Sequence, residues 1–359
     1  MSGKGAVGLL TVLFLLAATT WAGDEAAVSR EEITNMLKEA VRINPQRLGF
    51  FNKGMELVRV GLANPLNESL TCKVTWEAPS TQWQIKPASK VVPLSPKDSV
   101  LLTFEVYNVE RELRDYPAPE VKIEWQGKET LAEPVVVTES LKLLKVYRTI
   151  YFRESPVIDG KLNEWKNIRP IELGKEKDFS SSQDSTNWGG PKDLSAEVYV
   201  ARDADNFYVA ARVQDDAFSQ ANSDALIYEG DSMQIAIDVL NDQDPFFRDN
   251  NLANYEYAFA LTPKGPLAWR HIAPQGESRG RDVNVSLAVV RDEENKATLY
   301  EAAIPLFDMQ SFNRTQRVVG FSVIISDNDG KGRKGWLQWT PGVGDAREAV
   351  YYGEVIFGE

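Results

Sequence analysis

The feature that most narrows the fold of this chain is a period of two. Apolar and polar residues alternate in short runs such as Ala196-Glu197-Val198-Tyr199-Val200, and the pattern returns at 207–213, 232–238, 255–261, 283–290, 298–304, 318–326 and 352–357. Successive side chains of an extended strand point to opposite faces, so each run suits a sheet that buries one face. Helical periods are scarce between these runs, and two facing sheets are the natural closure for so many strands over 156–359. Further runs lie at 57–62, 70–76, 100–106 and 121–125, separated by turn clusters such as Asn64-Pro65, Ser95-Pro96-Lys97-Asp98 and Pro117-Ala118-Pro119. Short strands at this spacing predict a smaller sandwich over 46–138. The fold class read from the chain is all-β, with two β-sandwich domains and one N-terminal helix. Length agrees, since 359 residues exceed one ordinary core and suit two domains plus a leader.

The helix is read at 26–45. Ser29 and Glu32 have capping-box spacing, Ile33, Met36, Leu37, Ala40 and Val41 follow at helical intervals, and Asn44-Pro45 stops the run. Its apolar face suits either packing on the next domain or docking of a protein partner. Upstream, Lys4 precedes an apolar stretch at 6–18 that is short for a bilayer span, and Thr20-Trp21-Ala22 precedes Gly23-Asp24-Glu25. That order predicts a signal peptide over 1–22, cleaved after Ala22. The expected location is secreted, periplasmic or cell-surface, with no transmembrane segment after cleavage. Residues 139–155 include Leu141, Leu143, Leu144, Val146 and Ile150. They are too apolar for a loose tether and are read as an ordered linker.

Charge and side-chain chemistry exclude several classes. Acidic residues outnumber basic ones 52 to 40, for a net charge of −12. A nucleic-acid partner would require a basic face, so none is expected. Cys72 is alone and forms no intrachain disulfide, and the chain has no zinc-type Cys/His spacing. General-base chemistry leans on His, and His271 is the only one. No Gly-x-Ser-x-Gly elbow, phosphate loop or metalloprotease helix occurs. Catalysis is not the expected role.

Several pieces then follow one another in a fixed order. Ile158-Asp159-Gly160 leads to Leu162, Glu164 and Trp165. Arg202-Asp203-Ala204-Asp205-Asn206-Phe207-Tyr208 comes next, then Tyr228-Glu229-Gly230-Asp231-Ser232 with Asp238, then Tyr300-Glu301-Ala302-Ala303-Ile304-Pro305. Ser326-Asp327-Asn328-Asp329-Gly330, Arg333-Lys334-Gly335-Trp336 and Tyr352-Gly353-Glu354-Val355 complete the series. Together they resemble the carbohydrate-binding modules of family 9. The strand and turn order of 46–138 is similar to that of bacterial immunoglobulin-like accessory domains, which usually serve as spacers.

The family 9 resemblance implies a sandwich that holds a sugar between two aromatic rings, with polar side chains reaching the hydroxyls and bound calcium in some members. A pyranose face is lined with C–H groups and stacks on a ring, while its hydroxyls need fixed partners. By position, the resemblance points to Tyr228, where the family has Trp, and to Gln234, where it commonly has Glu. The second ring is expected in the loop before the last strand. Residues 340–350 hold no aromatic, which leaves Trp336 and Trp339 beside them. Their separation of three puts them on opposite faces, one in the core and one exposed. Trp188, in Asn187-Trp188-Gly189-Gly190, is a further stacking candidate.

Calcium takes oxygen ligands, and the candidates are Asp327, Asp329, Asp203 and Asp205, in clusters that hairpin turns also use. The expected partner is a glycan or polysaccharide, bound without catalysis. A link to chemistry would be as an accessory to glycoside hydrolysis. The alternative is a cell-envelope structural or protein-interaction module that uses the same fold with no sugar.

Overall fold

The computed structural model describes residues 28–47, 55–78, 83–108, 118–141, 143–181, 188–241, 254–313, 315–345 and 348–358. The signal-peptide expectation for 1–22 lies outside them. Contacts divide the chain into one compact unit of residues 1–46 with 50–142 and another of 47–49 with 143–359. No helix among the described residues is long and apolar enough to cross a membrane.

The first unit is built from two antiparallel sheets. Val41–Ile43, Met55–Ala63, Ser99–Asn108 and Trp83–Lys86 make one in that order, and Ser89–Leu94, Leu70–Glu77, Glu120–Gln126 and Val135–Ser140 make the other. Alternation sets the buried face: Leu70, Cys72, Val74 and Trp76 are buried, and the residues between them point away. Trp76 meets Phe104 of the other sheet edge to face at 5.8 Å, which closes the core between the layers. Burial pushes the Cys72 thiol up to about 12, so it behaves as a small apolar side chain.

The helix spans Arg30–Glu39, shorter than the 26–45 expected, and Ser29 and Glu32 close its capping box. Its apolar face is used within the unit, where Ile33 and Leu37 are buried. Val41–Ile43 leaves the helix and pairs with Met55–Ala63 through Val41↔Leu62 and Ile43↔Val60. β-branched residues lose little in a strand, and the sheet edge satisfies their backbone groups.

The second unit is a larger sandwich. One sheet runs Ile171–Leu173, Leu194–Arg202, Asn206–Asp215, Ala297–Pro305 and Ser286–Asp292. The other runs Val146–Thr149, Gly353–Phe357, Val318–Asp327, Ser232–Asp238, Asn254–Thr262, Gly265–Ile272 and Gly280–Arg281, with Gly335–Gln338 paired to Val318–Asp327 and Phe179–Ser180 paired to Gly335–Gln338. Val198, Val200, Val209 and Ala211 of the first sheet meet Met233, Ile235, Ile237 and Phe321 of the second in one core. Within the segment read as a linker, Val146–Thr149 pairs in parallel with the last strand, Gly353–Phe357.

A buried carboxylate accounts for two of the ordered sequence pieces. Glu301 is fully buried. Its Oε2 accepts the N–H groups of Asp159 and Gly160, both at 2.9 Å, and its Oε1 accepts the indole N–H of Trp165 at 2.9 Å. Gly160 turns there with φ +76°, a conformation costly for any residue with a Cβ.

Candidate functional site

The strand Ser232–Asp238 is buried on both faces, so the larger sheet is covered on its outer side as well. Register lays one row of side chains across that outer face. Gln338 pairs with Ile324, Ile324 with Gln234, Gln234 with Ala258, and Ala258 with Trp269. One step along, Trp336 pairs with Ser326 and Ser326 with Ser232. Ala and Ser keep the floor low between the larger side chains.

Two loops stand on this floor. The 3₁₀ turn Ala225–Glu229 is capped by Asp224, which accepts the Leu226 N–H, and is fixed from behind by Gln220, whose Nε2 donates to the Ile227 carbonyl at 2.8 Å. It packs Ile227 on Ala258, Ala260 and Leu267 and presents Tyr228, which stays half-buried. His271 meets the Tyr228 ring edge to face at 5.9 Å. The second loop, 328–334, brings Arg333 to 5.9 Å from the Tyr228 centroid and 4.3 Å from that of Trp336. A guanidinium over an indole face gains cation–π attraction, so Arg333 links the two rings.

Asn328 couples the loops. Its N–H donates to Asp231 at 2.8 Å, its Nδ2 to the Glu229 carbonyl at 2.7 Å, and its Oδ1 accepts the Gly330 N–H at 2.8 Å. Asp231 also accepts the Ser219 N–H. Burial first, and then the neighbouring charge of Asp215, push the Asp231 carboxyl up to about 9.

The structure brings Tyr228 and Trp336 to one face, and Gln234 lies on the same face. Gln234 is only 5% exposed and donates to Ser326 Oγ at 3.1 Å. The expectation that one of Trp336 and Trp339 is exposed is overturned. Parity does place them on opposite faces, yet both are buried. Trp339 points into the core against Phe321 and cannot stack on a ligand. Trp336 faces outward, but it is buried in one cluster with Val343, Ala349 and Tyr352, because the segment after the strand folds back over the sheet. Trp188 is not brought to this face by any of its contacts. Its ring stacks on Phe179 at 6.2 Å, and its indole N–H donates to the Leu194 carbonyl at 3.0 Å.

The acidic candidates separate. Asp203 accepts the N–H groups of Asp205 and Asn206 and the hydroxyls of Ser155 and Tyr208. It is spent on closing a turn. Asp205 is exposed, and its carbonyl accepts the Leu306 N–H. Asp327 and Asp329 instead converge with Asp193, their oxygens within 4.8 Å of one another, the one such acidic group among the described residues. The ammonium of Lys334 lies among them, 2.6 Å from Asp193, 3.0 Å from Asp329 and 3.3 Å from Asp327. Burial, then the charges of Asp329 and Asp193, push Asp327 up to about 7, against the pull of Lys334. These oxygens suit a cation, and the Lys334 ammonium lies among them.

Sequence reading missed the roles of Arg333, Asp193 and Lys334. Arg333 and Lys334 stand within the ordered pieces, but nothing in the sequence shows that 193 and 334 meet.

Residues 158–359 match the model of the family described as carbohydrate family 9 binding domain-like. No curated protein matches the chain. Among solved structures, the chain is similar to a carbohydrate binding module of family 9 from Caldicellulosiruptor kristjanssonii in complex with cellotriose. The identity is 17%, with 59% of this chain and 93% of that one covered, at a TM-score of 0.44. A family 9 module from that organism in complex with glucose gives 19% identity over 60% of this chain and 96% of that one, at a TM-score of 0.39. Through residues 158–359, more than half its length, the chain belongs to the carbohydrate family 9 binding domain-like family.

Proposed function

We propose that this chain binds a glycan on the outer face of its larger sheet, without catalysis, and does so outside the cytoplasm. The observation that carries the reading is the half-exposed Tyr228 ring at the family position for stacking, flanked by His271 and by the Arg333–Trp336 pair. An aromatic face beside planar nitrogen donors meets both needs of a sugar, apolar contact and fixed hydrogen bonding. The apolar segment at 6–18 with its small-residue flank supports export. In this reading the first unit is an immunoglobulin-like spacer.

The test is titration calorimetry of the chain against a panel of oligosaccharides, glucose and cellotriose among them, beside Tyr228→Ala. Loss of one stacking ring should weaken binding about tenfold, as a loss of roughly 1.4 kcal/mol would. Saturable binding unchanged in the variant would move the site elsewhere.

A second reading, an envelope interaction module with no sugar, is favoured by the burial of Trp336, Trp339 and Gln234. Failure of every glycan to bind would select it.

A further inference from the structure

Asp193, Asp327 and Asp329 come from three separate segments. Asp193 precedes the strand Leu194–Arg202, Asp327 ends Val318–Asp327, and Asp329 lies in the loop that leads to Gly335–Gln338. Their mutual spacing is what a divalent ion about 2.4 Å from each oxygen would impose. We propose that Lys334 is a built-in cation: its ammonium takes the place of a divalent ion and holds this face together with no metal at that point.

Three observations carry this. Lys334 lies within ion-pair distance of all three carboxylates, donating to both oxygens of Asp193 at 2.6 and 2.8 Å and standing 3.0 Å from Asp329 and 3.3 Å from Asp327. Asp327 is fully buried, and neither of its oxygens receives a hydrogen bond among the described residues. A buried carboxylate in that state needs a counter-charge close by. The chain itself supplies one, because the Lys334 N–H closes on the Asp327 carbonyl at 2.7 Å and fixes the side chain beside the acid. Lys334 is only 14% exposed, so the pairing is shielded from solvent. Burial opposes its charge, yet the hydrogen bonds it donates to Asp193 and Asp329 prevail and raise its pKa.

The consequence for function rests on the glycan reading above. Lys334 adjoins Arg333, so the loop that sets Arg333 between Tyr228 and Trp336 is anchored by an internal charge. Recognition at this face is then independent of calcium at the acidic hub.

The experiment compares melting temperatures of the native chain, Lys334→Met, and Lys334→Met combined with Asp327→Asn, in calcium and in chelator. Lys334→Met should be stabilised by calcium by about 5 °C more than the native chain is. The added Asp327→Asn should abolish that gain. Equal calcium responses in the native chain and Lys334→Met would overturn the inference. Should Lys334→Met fail to fold in both buffers, the native chain and Asp327→Asn alone decide. The same calcium response in these two is expected, whereas a native response that Asp327→Asn removes would place a metal at the hub and overturn the proposal. Melting needs no ligand, so an absence of glycan binding alongside the expected melting pattern would sink only the glycan reading.

Discussion

Glu301 holds the opening turn of the second unit by accepting three N–H groups with one carboxylate. Replacing it by Ala strands three donors, and those of Gly160 and Trp165 are buried, each costing about 1 kcal/mol or more. Glu301→Ala should therefore lower unfolding free energy by about 2 kcal/mol or more in urea titration. A loss under about 1 kcal/mol would mean that water replaces the acid there. The place of Trp165 in the opening piece of this domain was legible in the sequence. Its partner was not, because Trp165 and Glu301 stand 136 residues apart. The same limit hid the contact of Asp193 with Lys334, which are 141 residues apart.

At the scale of elements, the last strand shows what a motif glycine is for. A Cβ on Gly353 would lie 2.6 Å from the Trp339 ring and 2.8 Å from the Lys145 carbonyl oxygen. Backbone and a buried indole cannot both move aside. Gly353→Ala should destabilise the chain by about 1–3 kcal/mol, the usual cost of overpacking, with a changed Trp fluorescence in the native baseline. An unchanged denaturation midpoint would show that Trp339 has room to turn. Strand parity assigned Trp336 and Trp339 to opposite faces correctly. It said nothing of the segment that later folds over the outer face, and that cover decides exposure.

Over the whole molecule, acidity is partly internal. Asp215, Asp231 and Asp327 are buried in the second unit, with Arg291 3.7 Å from Asp215 and Lys334 beside Asp327. The folded chain keeps a proton on Asp231 up to about pH 9, while an unfolded Asp releases it near pH ~3.9. Between those values the folded state binds more protons, so stability falls as pH rises. The melting temperature should be lower at pH 8.5 than at pH 5, roughly within that same window. Asp231→Asn should flatten the slope, whatever its own stability. A melting temperature that climbs across this window would show that Asp231 is ionised in the fold.

Local rules were enough for much of this protein. Alternation with period two gave an all-β chain, the Ser29/Glu32 spacing gave the capping box, and ordered short pieces gave the family of residues 158–359. These are read from neighbours in sequence, where strand geometry and capping act. The helix end was misread, because Val41–Ile43 follows the available edge of Met55–Ala63 rather than its own periodicity. Only the tertiary structure decided which aromatics stay accessible, that Arg333 joins Tyr228 to Trp336, and that Lys334 pairs with three carboxylates. Exposure and charge pairing depend on which distant segments cover a face, and the chain carries no local mark of that.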